Sequence, residues 1–146
     1  MKLKVAWIGK TKEPAVQQLT AEYVKRIARY SPIETLELAN EAALLRQVEK
    51  SQGRVSPVLL LLDPRGRQLS SEQFATQLRE HQERGTQLLM FAVGGADGFG
   101  PEARQAASAQ ISLGPMTLAH ELARVVLLEQ LYRAFTILAG HPYHRG

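Results

Sequence analysis

Apolar and polar positions along this chain alternate between two periods. Leu3–Ile8 is an apolar run closed by Gly9 and reads as a strand. Pro14 suits the first turn of a helix, where its missing N–H costs nothing. Val16, Leu19, Tyr23, Ile27 and Tyr30 then recur at helical spacing up to Pro32. Ile33–Leu38 alternates apolar with acidic residues, as a strand near a sheet edge does. Glu41–Lys50 carries Leu44, Leu45 and Val48 on one helical face and stops near Gly53. Val58–Leu62 is uniformly apolar, the pattern of a central strand covered on both sides, and Asp63-Pro64-Arg65-Gly66 reads as a turn. Ser70 and Gln73 form a capping box for a helix running to about Gly85. Gln87–Val93 is a second buried strand, followed by the glycine loop Gly94–Gly100. A helix over Pro101–Ala109, a short strand over Gln110–Leu113 and a break at Gly114-Pro115 come next. The longest helix opens at Thr117 or Ala119 and ends near Ala139.

Strand and helix therefore alternate from end to end. That order predicts an α/β fold with a mostly parallel five-stranded sheet and helices on both faces. In such sheets ligands bind beyond the carboxyl ends of the strands. Three loops leave strands at such ends: after Leu62, after Val93 and after Leu113. The chain is 146 residues long, which predicts one domain, 1–146, with room for a core. No apolar run is long enough for a secretory leader or a membrane span, so a cytoplasmic location without membrane contact is expected.

Composition narrows the chemistry. There is no cysteine, which excludes disulfides, thiolate nucleophiles and thiolate metal sites. A net charge of +4 is compatible with an RNA partner without demanding one. The four histidines form no H-x-x-x-H pair, so no metal site is expected.

Each strand-end loop has a structural and a functional reading. Asp63 and Asp97, the two aspartates of the chain, sit in two of them. For Asp63 the turn-forming role outweighs a chemical one, since aspartate commonly bonds nearby backbone N–H groups. The glycine loop holds four of the 11 glycines, and its place after a buried strand favours close approach of a ligand. Gly98–Ala103 fits G-x-G-x-x-A, but too far beyond Val93 for a good dinucleotide fingerprint, and there is no P-loop sequence. Leu113–Leu118 is apolar yet irregular. It reads equally as a buried connection and as a wall offering backbone groups to a flat heterocycle.

The last helix is apolar around most of its circumference, which suits a dimer interface. Arg124 and Glu121 are spaced to pair along it. The tail Gly140–Gly146 gathers His141, Tyr143, His144 and Arg145, the parts with which proteins stack on bases and bind phosphates.

Four ordered stretches carry a resemblance over essentially the whole length. They are Val93–Gly98, Leu113–His120, Leu128–Ala134 with Pro142–Arg145, and, more weakly, Leu61–Asp63 with Gly66 and Ser71–Ala75. In these the chain resembles the ribosomal RNA large-subunit methyltransferase H (RlmH) family of the SPOUT superfamily. The resemblance implies a trefoil-knotted α/β fold, S-adenosylmethionine as methyl donor and an obligate homodimer. It implies methylation at N3 of a pseudouridine in the helix 69 hairpin of large-subunit rRNA, on assembled ribosomes. Carried over, the cofactor site is Leu62, Gly94, Gly95, Leu113, Gly114, Pro115, Met116, Thr117 and Leu118. The candidate catalytic and substrate-handling residues are His120, Arg133, Tyr143, His144 and Arg145. Two features depart from the family pattern. Gly114-Pro115 follows Leu113 where many relatives have serine, and the segment between Leu38 and Leu44 is short and acidic. The competing classes are a dinucleotide-dependent oxidoreductase using Gly98–Ala103 and a non-catalytic ribosome-binding factor.

Overall fold

A computed structural model describes residues 1–51, 55, 57–95 and 97–145, without the side chains of 50, 51, 144 and 145. The predicted helix stop near Gly53 and residue Ala96 of the glycine loop lie outside the described residues. The elements run β1 (Lys2–Ile8), α1 (Pro14–Ile27), β2 (Ile33–Leu38), α2 (Glu41–Ser51), β3 (Val58–Gln68), α3 (Ser71–Glu83), β4 (Leu88–Val93), α4 (Pro101–Ala106), β5 (Ala109–Ser112) and α5 (His120–Leu138). A short 3-10 turn, Pro142–Arg145, follows α5.

One five-stranded sheet has the order β2-β1-β4-β3-β5, and every pairing is parallel. The acidic-alternating β2 lies at one edge, as its pattern predicts. The centre is β4, whose six residues are all buried. Alternation of side chains across the strands builds two cores. Leu3, Val5, Trp7, Leu60, Leu89, Phe91 and Val93 point to one face, against Ile27 of α1, Phe74 and Leu78 of α3, and Leu127, Leu128 and Leu131 of α5. Ala6, Leu59, Leu61, Met90 and Ala92 point to the other, against Leu44 and Val48 of α2 and Ala103 of α4.

Local chemistry sets several boundaries. Ser70 Oγ accepts from Gln73 N and Gln73 Oε1 accepts from Ser70 N, closing the predicted capping box of α3. That helix ends at Glu83, and Gly85 at φ +76° turns the chain back toward β4. Helix α1 stops at Ile27, short of the predicted Pro32, and α4 stops at Ala106, which releases Ala109 to start β5.

The predicted turn at Asp63–Gly66 is a correction. These residues lie inside β3, which bulges and then rejoins β5, so that Leu62 and Arg67 both face Ile111. Asp63 still acts as a local backbone acceptor, taking the N–H of Arg65 at 2.9 Å. Gly66 passes so close to β5 that a Cβ there would lie 2.6 Å from the backbone of Gln110. Among the described residues no helix is long and apolar enough to cross a membrane.

Candidate functional site

The parallel sheet sends the carboxyl ends of β3, β4 and β5 to the same side, and their loops enclose a cleft of about 350 Å³. Leu62 and Pro64 come from β3; Gly94, Gly95 and Gly98 come from the loop after β4. Leu113, Gly114, Met116, Thr117 and Leu118 come from the segment leading into α5, and His120 at the start of α5 completes the wall. Pro115 belongs to that segment but does not line the cleft.

Backbone geometry shapes this wall. Gly98 N donates to the carbonyl oxygen of Gly95 at 3.1 Å, and a Cβ on Gly94 would meet the backbone of Gly98 at 3.2 Å. Gly114 has φ +133°, a conformation that favours glycine. Its N–H donates to Ser112 Oγ at 3.2 Å, and that hydroxyl donates to the Gly114 carbonyl oxygen at 3.0 Å. Glycine is thus the residue this backbone path favours.

Behind the cleft sits a polar lock that spacing alone misses. Arg124 is fully buried. Its guanidinium donates to the carbonyl oxygen of Ile8 at 2.9 Å and to Thr11 Oγ1 at 3.0 Å, and it lies 5.4 Å from the centre of the Trp7 ring. Burial pulls its pKa below the usual arginine value. The charge of Glu121 acts on Arg124 as spacing predicts, but its hydrogen bonds go elsewhere. Glu121 Oε1 instead accepts the backbone N–H groups of Lys12 and Glu13, at 3.0 and 3.1 Å, which hold its carboxyl below the usual range. Together they fasten the β1–α1 loop to α5.

Asp63 is also buried. Burial pushes its carboxyl up, but the N–H and guanidinium of Arg65 and the charge of Arg104 outweigh that and leave it below the usual value. The G-x-G-x-x-A match fares poorly as a phosphate cradle. It opens a six-residue helix, and Glu41 Oε1 already accepts the N–H of Gly100 at 2.7 Å, placing a carboxylate where a pyrophosphate would sit.

The remaining candidates gather at the far end of α5. Arg133 donates from Nε and Nη2 to Glu129 Oε1, at 2.9 and 2.7 Å, and this contact raises its pKa. Tyr143 Oη donates to the same oxygen at 3.1 Å. The Tyr143 ring packs edge-on against Tyr132 at 4.7 Å, beneath the Arg133 guanidinium at 5.1 Å. Burial, with a hydrogen bond to Tyr23, pushes the Tyr143 phenol well above its usual value, so it stays protonated. His144 and Arg145 belong to the turn Pro142–Arg145, and their side chains lie outside the described residues. His120 stands apart from this group. Thirteen residues of helix separate it from Arg133, about 20 Å along the axis. Glu129, to which the sequence alone assigns no role, is the hub. Its signal was the i, i+4 spacing to Arg133. Among the described residues no group of three or more metal-ligating side chains gathers.

An all-parallel sheet with a glycine-walled apolar cleft at its strand ends is the arrangement in which α/β proteins bind small ligands. The family described as "Predicted SPOUT methyltransferase" matches residues 1–144. A ribosomal RNA large subunit methyltransferase H from Koribacter versatilis is 56% identical over 146 residues, covering 100% of this chain and 99% of the relative. Another so named, from Geobacter sp. (strain M21), is 45% identical over 152 residues and covers 99% of each chain. Among solved structures, the SpoU methyltransferase AviRb from Streptomyces viridochromogenes aligns with TM-score 0.57 at 14% identity, over 95% of this chain and 61% of that one. The same enzyme in complex with the cofactor AdoMet aligns with TM-score 0.50 at 11% identity, over 91% and 57%. This chain thus spans about three-fifths of AviRb, and the likeness there is one of fold. The chain belongs to the SPOUT methyltransferases and, within them, to the ribosomal RNA large-subunit methyltransferase H family.

Proposed function

We propose that this chain methylates N3 of a pseudouridine in the helix 69 hairpin of large-subunit rRNA, on assembled ribosomes, with S-adenosylmethionine as donor. The observation that carries this reading is the single cleft made by the three strand-end loops. Its size lies in the range of small-molecule sites, and its walls are apolar with exposed backbone groups. Gly98 and Gly114 line it without side chains, and a Cβ on either would meet nothing within 4 Å, so the wall leaves open room that fits a bulky heterocyclic cofactor. Leu62, Gly94, Gly95 and the segment 113–118 would hold it. When bound, that cofactor supplies a methyl group already activated on a sulfonium.

The protein's own contribution is alignment and proton handling. The imide N3 must shed its proton before it attacks. His120 at the cleft and His144 in the tail are the imidazoles available to accept it, and Arg133 and Arg145 stabilise the anion or hold phosphate. Tyr143 braces the tail against α5.

The reading includes a homodimer, one domain per chain at 1–146, the family's trefoil knot and a cytoplasmic location. Two observations support the dimer. Leu19 on α1 and Leu122 on α5 are 44% and 47% exposed, on helices that pack together. About 15 Å of helix separates Ala123, the last cleft residue on α5, from Arg133, a span that supports the second subunit's tail serving the first subunit's cleft. Of the competing classes, the oxidoreductase is disfavoured by Glu41 at Gly100, and the non-catalytic factor leaves the cleft without a use.

The test is mass spectrometry of large-subunit rRNA after incubating the protein with ribosomes and methyl-labelled S-adenosylmethionine. The expected result is one labelled pseudouridine in helix 69. Label elsewhere, or equal turnover on the naked hairpin, would overturn the corresponding part.

A further inference from the structure

One carboxylate oxygen, Glu129 Oε1, receives three donors: Arg133 Nε, Arg133 Nη2 and Tyr143 Oη. The other, Oε2, accepts from Gln130 Nε2 at 2.9 Å, and Gln130 Oε1 in turn accepts from Ser71 Oγ at 2.7 Å. Exposed ion pairs one helical turn apart usually contribute little. This one differs on two counts. The side chains are only 25% and 17% exposed, and the third donor comes from the chain end beyond the helix.

We propose that Glu129 is the positioning residue for RNA substrate at this end of the molecule. It fixes the guanidinium of Arg133 and docks the terminal turn 142–145 through Tyr143, so both move as one unit. The proposal rests on the reading of Arg133 and the tail as substrate-handling groups. The physical need is clear. An arginine side chain has many rotamers, and a chain end frays unless it is tied down. The Tyr143 ring, set edge-on against Tyr132 and under Arg133, gives the tail an apolar seat. The shared oxygen acceptor adds a directional contact to it. Glu129 also offsets much of the charge of Arg133, so that arginine serves direction more than long-range attraction.

The experiment measures kcat and KM for ribosomes, with S-adenosylmethionine affinity by calorimetry, for E129A, E129Q, E129D and R133A. E129A is expected to lose about 10- to 100-fold in kcat/KM for ribosomes with unchanged cofactor affinity. E129Q keeps an acceptor oxygen and is expected to recover most of that loss. Its amide tolerates Gln130, whose own amide can turn because Ser71 Oγ both donates and accepts. Wild-type turnover in E129A beside an inactive R133A would overturn the positioning role, and so would equal losses in E129A and E129Q. If E129A fails to bind cofactor, E129D decides. It keeps the charge but shortens the reach, so full turnover in E129D overturns the proposal. Full turnover in R133A would overturn the underlying reading, whatever Glu129 does.

Discussion

Arg124 Nη2 donates to the carbonyl oxygen of Ile8 at 2.9 Å, joining residues 116 positions apart at the point where β1 ends. The guanidinium is fully buried, so its loss leaves a cavity beside Trp7 and takes the donor from the carbonyl oxygen of Ile8 and from Thr11 Oγ1. Arg124→Ala should cost about 3 kcal/mol, read by urea denaturation. Glu121→Gln, whose amide oxygen can still accept, should cost under about 1 kcal/mol.

Gly66 tests the correction at β3. A Cβ there meets the backbone of Gln110 and Ile111, at 2.6 and 2.7 Å, and backbone cannot swing aside. Gly66→Ala should destabilise by about 2–3 kcal/mol, visible as a lowered melting temperature. If residues 63–66 were an open turn, the same change would be neutral.

Gly114 sits at φ +133°, where a side chain is strained. Gly114→Ser puts a side chain at this φ and forces the cleft wall to shift. About 1–2 kcal/mol of strain should appear as roughly tenfold weaker S-adenosylmethionine binding by calorimetry.

His81 is buried on α3, with Nδ1 at 3.2 Å from Thr86 Oγ1. Burial, followed by the charge of Arg84, lowers its pKa below the ordinary 6.5. The unfolded chain therefore takes up a proton at a higher pH than the folded one. This contribution to stability is full above pH 6.5 and falls as pH drops through 6.5 toward the folded value. His81→Asn should flatten that part of the melting-temperature profile.

Arg133→Ala should abolish methylation while leaving cofactor binding intact. A shared site adds a sharper outcome. Mixing Arg133→Ala with a variant whose cleft is blocked, such as Gly94→Val, should restore part of the lost turnover in mixed dimers. No recovery in mixtures would place cleft and tail function in one subunit.

Much of the fold follows from signals that act within a few residues of chain. The uniformly apolar β4, the alternating β2 and the Ser70–Gln73 capping box are local, so they are legible in order and nearly in extent. The three strand-end loops are legible as a set, because a parallel sheet sends all its carboxyl ends one way. Long-range contacts decide the rest. Residues 63–66 carry turn chemistry, yet pairing with β5 draws them into a strand. Helical spacing offers Glu121 to Arg124, but the hydrogen bonds each makes go to residues 8–13, more than 100 positions away, because the β1–α1 loop lies against the start of α5. Glu129 shows the same limit. Its spacing to Arg133 is written in the sequence, whereas its bond to Tyr143 exists only because the chain end folds back onto α5.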